Sequence, residues 1–141
     1  MITVELSRVS KDFGFEVKDA NNHTVRIDTS PESGGHNFGV RPMQLLLMGL
    51  AGCSGIDVIS ILNKQKQEVK DYKMTVSGER EAGKEPSLWK EIAVEFHIYG
   101  KVEEEKAIRA VELSLKKNCS VAATMNNAGD RLTWKVFVHP S

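Results

Sequence analysis

Pro42-Met43-Gln44-Leu45-Leu46-Leu47-Met48-Gly49-Leu50-Ala51-Gly52-Cys53-Ser54-Gly55-Ile56-Asp57-Val58-Ile59-Ser60-Ile61-Leu62 is the stretch that decides how this chain folds. From Leu45 to Leu62 it is apolar nearly all round, the pattern of a helix buried on most of its sides. Pro42 suits the first helical position, where its missing N–H would go unpaired anyway. Lys64-Gln65-Lys66-Gln67 closes the helix with positive charge at the negative end of its dipole. Gly49, Gly52 and Gly55 each cost about 1 kcal/mol relative to Ala in a helix interior, so tight packing or a functional cavity must offset them. Met43 to Leu62 is also about long enough to cross a bilayer. Asp57 near its centre would cost roughly 2.5–3.5 kcal/mol there, and no basic cluster precedes the segment. The expectation is a helix sheathed by protein, with no membrane partner.

Strands flank this helix on both sides. Thr3-Val4-Glu5-Leu6 and Phe13-Gly14-Phe15-Glu16-Val17 alternate with period two, Asn21-Asn22 is turn chemistry, and Thr24-Val25-Arg26-Ile27 follows as a third strand. Together they predict an antiparallel meander. Ser30 to Gly39 is a loop by its Gly, Pro and Ser content, either a connector or the edge of a site. Beyond the helix, Tyr72–Ser77 and Glu91–Tyr99 alternate around a hairpin tip at Gly83-Lys84-Glu85-Pro86. A second helix begins near Val102, with Glu103-Glu104-Glu105 in its first turn, Lys116-Lys117 in its last, and Ile108, Val111 and Leu115 as its apolar stripe. A helical turn at Val121–Met125, a loop over Asn126-Asn127-Ala128-Gly129 and a strand from Leu132 to Val138 complete the chain. With no repeat or linker, this predicts one α+β domain over residues 1–141, antiparallel sheets wrapped around a central cysteine-bearing helix.

Composition narrows the function. The 141 residues carry 19 basic and 19 acidic side chains, 27% charged and 40% hydrophobic. Those values exclude disordered and fibrous classes. Zero net charge argues against a nucleic-acid partner, which calls for a basic excess. Met1-Ile2-Thr3-Val4-Glu5 has no signal-peptide pattern, so the expected address is the cytoplasm, where both cysteines rest reduced. His23, His36, His97 and His139 show no helical zinc spacing, and neither a GxGxxG nor a P-loop occurs, so no metal or cofactor is expected.

The chemistry then rests on Cys53 and Cys119. A cysteine in an apolar helix is ordinarily a small core residue. Three features point instead to reactivity. Glycines leave room beside Cys53, Lys116 and Lys117 lie within a turn of Cys119, and a short helix opening at Cys119 would offer its positive end. A cysteine–histidine hydrolase using Cys53 with His36 or His97 is an alternative. Asp57 stands one turn beyond Cys53 on the same face, where a carboxylate opposes thiolate formation unless an arginine neutralises it. Its blander role is polar closure of the helix against a neighbour.

Pro42-Met43-Gln44-Leu45-Leu46-Leu47-Met48-Gly49-Leu50-Ala51-Gly52-Cys53-Ser54, followed much later by Asn118-Cys119-Ser120-Val121, resembles the OsmC/Ohr family, the osmotically inducible and organic hydroperoxide resistance proteins of bacteria. Arg41 to Met48 looks most like its YhfA-like branch. The resemblance implies an intertwined homodimer and a thiol peroxidase for organic hydroperoxides that uses no metal or cofactor. It casts Cys53 as the peroxidatic and Cys119 as the resolving cysteine, joined in a disulfide that a lipoyl- or thioredoxin-type dithiol reopens. Family arginines come from the amino-terminal strands, which makes Arg26 the favoured thiolate-activating residue over Arg8 and Arg41. Met43 and Gln44 stand where the family commonly has a Glu that holds this arginine. Gln44 can still accept a hydrogen bond from it, although nine residues from Cys53 it lies on the opposite side of an ideal helix. The alternative functions on the same fold are a non-catalytic dimer binding a small apolar ligand and a thiol redox sensor.

Overall fold

The computed structural model describes residues 1–126 and 131–141. The loop expected at Asn127-Ala128-Gly129 therefore lies outside the described residues. The backbone gathers into two compact units, Met1–Leu46 and Leu47–Ser141.

In the first unit, β1 (Glu5–Arg8), β2 (Phe15–Lys18) and β3 (Thr24–Ile27) form the expected antiparallel meander. Register aligns Leu6, Val17 and Val25 in one row across the sheet. This row is open, with Leu6 55% and Val25 40% exposed. The loop that follows is organised by Asp28, which is buried. Its Oδ1 accepts the N–H of Thr29 at 2.7 Å, and its Oδ2 accepts those of His36 at 2.8 Å and Phe38 at 3.1 Å. These donors, led by His36, hold the carboxyl below its usual range. Gly35 is required where the loop folds back, since a Cβ there would stand 2.0 Å from the Thr29 carbonyl oxygen.

Helix α1 (Pro42–Lys64) begins in this unit and runs on into the second. The second unit adds β4 (Glu68–Arg80), β5 (Trp89–Lys101), α2 (Glu104–Leu113), a π-helical turn (Ser114–Asn118), α3 (Ser120–Met125) and β6 (Leu132–His139). Strands β4 and β5 pair antiparallel, but β5 and β6 pair parallel. This corrects the expectation of wholly antiparallel sheets. The helical connection between β5 and β6 carries the chain back along the sheet, so the last strand re-enters in the same direction. Gly100 adopts a φ of +131° opposite the register shift between Val69 and Asp71, and a Cβ there would lie 2.1 Å from the Glu68 carbonyl oxygen.

The core of this unit follows from alternation on β5, whose Ile92, Val94, Phe96 and Ile98 are buried. They cluster with Leu50, Val58 and Leu62 of α1 and with Ala107, Ala110, Val111 and Leu115. Ile108, expected in that stripe, is partly exposed instead, and the two alanines take its place. Small side chains let the helix approach closely. The central helix is covered unevenly. It buries one face through Leu50, Ser54, Gly55, Val58 and Leu62, while Leu46, Met48 and Ile56 are exposed, the last at 74%. Among the described residues, the buried side chains of this helix fall on that one face.

Candidate active site

Cys53 stands on α1, half-buried, and Cys119 is buried at the junction of the π-turn and α3. Between Ser114 and Asn118 the helix widens by one residue per turn and then stops, with the Cys119 N–H on the Ser114 carbonyl at 2.7 Å. Cys119 thereby becomes the N-cap of α3, its Sγ accepting the Ala122 N–H at 3.3 Å. Its sulfur, the sulfur of Cys53 and a carboxylate oxygen of Asp57 all lie within 4.8 Å of one another. Asp57 follows Cys53 by four residues on one face of α1, as its spacing predicted. Its Oδ2 accepts a hydrogen bond from Ser114 Oγ at 2.9 Å.

Burial pushes the Cys119 thiol up to about 11, reinforced by its hydrogen bond with Cys53. The expectation that Lys116 and Lys117 would lower it fails. Lys116 places its ammonium over the Trp134 ring, 5.6 Å from the centroid, and desolvation of the sulfur outweighs what charge is near.

A groove of about 660 Å³ runs along α1, lined by Gly52, Gly55, Ile56, Ile59 and Tyr72 among others, but by neither cysteine. The two glycines differ. A Cβ at Gly52 would meet nothing within 4 Å, whereas at Gly55 it would touch Met74 Sδ at 3.4 Å and the Tyr72 ring at 3.5 Å. The Tyr72 hydroxyl is buried without a hydrogen-bond partner among the described residues, and burial raises its pKa.

The other predicted site residues belong to the first unit. Arg26 on β3 stacks its guanidinium over Phe38 at 5.1 Å and reaches Glu16 at 3.7 Å. Gln44 uses its Oε1 to accept the Arg41 N–H at 2.9 Å. That is half of a capping box at the start of α1, so its side-chain oxygen is engaged in holding the helix end. The histidine alternatives find no support. His36 pairs with Asp12 at 2.7 Å. His97 stacks on Phe137 and His139, on the sheet face opposite the buried Phe96. Ser114 and Tyr72 were not anticipated as site residues. A signal existed for Ser114, a polar residue one helical turn from Ala110 and Val111 on a buried stripe.

The fold and this site define an α+β protein with a helix-borne pair of thiols. Comparison with known proteins agrees. Residues 33–135 match the family model of the OsmC-like proteins. Protein YhfA of Escherichia coli K12 is 41% identical over 112 residues, 79% of this chain and 80% of its own length. The crystal structure of a hypothetical protein from Aquifex aeolicus VF5 has a TM-score of 0.81 and 36% identity, covering 99% of this chain and 98% of the other. An organic hydroperoxide resistance protein from Elizabethkingia anophelis shares the fold, with a TM-score of 0.69 and 17% identity over 100% and 96% of the two chains. The chain belongs to the OsmC family.

Proposed function

We propose that this protein is a two-cysteine thiol peroxidase acting on organic hydroperoxides in the cytoplasm. The observation that carries the reading is the approach of the Cys53 and Cys119 sulfurs to within 4.8 Å. Cys53 is the more accessible thiol and takes the peroxidatic role, while buried Cys119 resolves. The Cys53 thiolate attacks the O–O bond, the alcohol leaves, and a sulfenic acid remains. Cys119 condenses with it, water leaves, and a disulfide forms. A lipoyl- or thioredoxin-type dithiol returns both thiols by exchange. The shared fold with the Elizabethkingia organic hydroperoxide resistance protein supports the substrate class.

The working unit in this reading is a homodimer. Exposed Leu46, Met48 and Ile56 on α1, with the open row of Leu6 and Val25, are the apolar surfaces a second copy would cover. Arg26 is the residue proposed to activate Cys53. The groove lined by Gly52, Ile56, Ile59 and Tyr72 favours a second reading, a non-catalytic dimer holding a small apolar ligand.

One experiment separates the two. Reduced protein is mixed with a modest excess of cumene hydroperoxide, and thiols are counted before and after. Loss of both thiols per chain with stoichiometric alcohol release is expected. Unchanged thiols would reject the peroxidase and leave the binding module.

A further inference from the structure

Cys53, Asp57 and Cys119 gather two sulfurs and a carboxylate oxygen inside 4.8 Å. We infer that in the reduced protein these three residues bind one Zn²⁺ ion per chain, with solvent as the fourth ligand. Two thiolates and a carboxylate suit a borderline-soft cation and select it over magnesium or calcium. With Zn–S bonds of about 2.3 Å, tetrahedral ligand atoms stand roughly 3.5–4 Å apart. The three ligand atoms need to close by about 1 Å at most. Cys53 and Asp57 are both half-buried, which leaves the fourth position open to water. Ser114 Oγ, at 2.9 Å from Asp57 Oδ2, fixes the carboxylate as an outer-shell partner does in zinc sites.

Electrostatics point the same way. Among the described residues no lysine or arginine forms an ion pair with Asp57, and Lys116 is drawn off onto Trp134. A carboxylate beside two thiols accumulates negative charge as the thiols ionise. A divalent cation balances it, and each thiol gives its proton to solvent on binding. Sequence spacing concealed this set, because Cys119 comes from a different helix than Cys53 and Asp57.

Zinc and the disulfide exclude each other, since both use the same two sulfurs. Bound zinc therefore holds the pair reduced and shields Cys53 from peroxide. On oxidation, the hydroperoxide takes two electrons from the thiolate pair and the sulfurs join. Alcohol and water leave with two protons from solvent, and Zn²⁺ is released. This consequence rests on the peroxidase reading, whereas zinc binding itself does not.

The test titrates the reduced, chelator-stripped full chain with Zn²⁺ against a chromophoric competitor, and with Co²⁺ in parallel, without peroxide. One zinc per chain is expected, with a thiolate-to-cobalt charge-transfer band in the wild type. Cys53→Ser should weaken binding by on the order of a hundredfold or more. Ser114→Ala, which removes an outer-shell partner, should weaken it by about 10–100-fold, and Asp57→Asn, which removes a ligand, by at least as much. The wild-type disulfide form, which needs no substitution in the buried Cys119, should not bind. Absence of the charge-transfer band, sub-stoichiometric binding, or affinity unchanged in Cys53→Ser would overturn the proposal. Retained affinity there would instead place zinc at a site such as His97 and His139, whose ring nitrogens stand 3.1 Å apart. Zinc binding without any peroxide reaction would sink only the peroxidase reading.

Discussion

Ser114 donates a hydrogen bond from its Oγ to Asp57 Oδ2 across 2.9 Å, tying the π-turn to the central helix one turn beyond Cys53. The same hydroxyl lies 3.4 Å from the Ser54 carbonyl. Two helices are thus joined by a buried polar contact beside the sulfurs, where packing alone would leave their rotation loosely set. The segment that ends at Cys119 is held in place by it.

Ser114→Ala should therefore destabilise the fold by about 1–3 kcal/mol, because it leaves the Asp57 carboxylate without its donor in a half-buried position. Urea unfolding reads this as a lower midpoint with an unchanged slope. A midpoint equal to wild type would mean that solvent already satisfies Asp57.

The two cysteines should fail differently. Cys119→Ser leaves the Cys53 sulfenic acid without a partner, so excess cumene hydroperoxide drives it on to sulfinic acid. Intact mass spectrometry should find two added oxygens on Cys53. Cys53→Ser should show no peroxide-dependent mass change in short exposures. Peroxide consumption at the wild-type rate in Cys53→Ser would reverse the assignment of roles.

Cys119 carries a pH signature. Burial raises its thiol from 9.0 to about 11, so its thiolate fraction climbs roughly tenfold per pH unit throughout the neutral and moderately alkaline range. Alkylation of Cys119 by iodoacetamide in a Cys53→Ser background should rise accordingly. It should show no plateau below pH 10. Stability moves with it, because the folded state holds a proton that the unfolded state releases. Its contribution is intact below pH 9 and is lost as pH climbs toward 11. A plateau near pH 8 would show that nearby positive charge, not burial, governs this sulfur.

How much of this was legible follows from how local each signal is. Period-two alternation over Glu91–Tyr99 and the capping charges of the second helix are short-range, and both elements form there. Gly52 and Gly55, by contrast, line a groove that neither cysteine borders. The parallel β5–β6 pairing depends on the path of a whole connection, which no window of residues encodes. An apolar stripe on α1 reports that something covers it, and not whether the cover belongs to the same chain. Helical spacing alone puts Asp57 one turn from Cys53. It does not reveal Ser114, since a pairing between residues so distant in sequence leaves no periodic trace.

Asp28 should prove the organiser of the loop before α1. Three N–H groups converge on its two oxygens, and Asn in its place would turn an amide N–H toward one of them. Asp28→Asn is expected to speed amide exchange at His36 and Phe38 by about tenfold or more, with the β4–β5 pairing unaffected. Since these donors hold the carboxyl below its ordinary 3.8, its stabilisation is present above that pH and lost as acid protonates it. Protection at His36 and Phe38 that is equal in variant and wild type would remove Asp28 from this role.

In the proposed peroxidase, the arginine that activates Cys53 should come from a second copy of the chain. Arg26 is steadied by Phe38 beneath its guanidinium and by Glu16 alongside, so it presents a cation at a defined place on β3 without being fully neutralised. The open apolar row on that sheet and the exposed side of α1 are the surfaces that the proposed second copy would cover. Arg26 points to the face opposite Val25, and in the proposed dimer the edge strand β3 of one chain would approach the α1 of its partner, so that each site draws its cysteines and its arginine from different chains. Symmetry makes the two sites equivalent. Mixing Cys53→Ser chains with Arg26→Ala chains tests the sharing. Each parent homodimer lacks activity, but a mixed dimer has one site with Cys53 from one chain and Arg26 from the other, both intact. Equal mixing with full chain exchange should then restore about a quarter of wild-type activity per chain, since half the dimers are mixed and each has one competent site. Exchange itself is verified by native mass spectrometry of differently tagged chains. If exchange is complete and no activity returns, Arg26 acts on the cysteine of its own chain or on none. A light-scattering mass near 15.7 kDa would remove the dimer altogether.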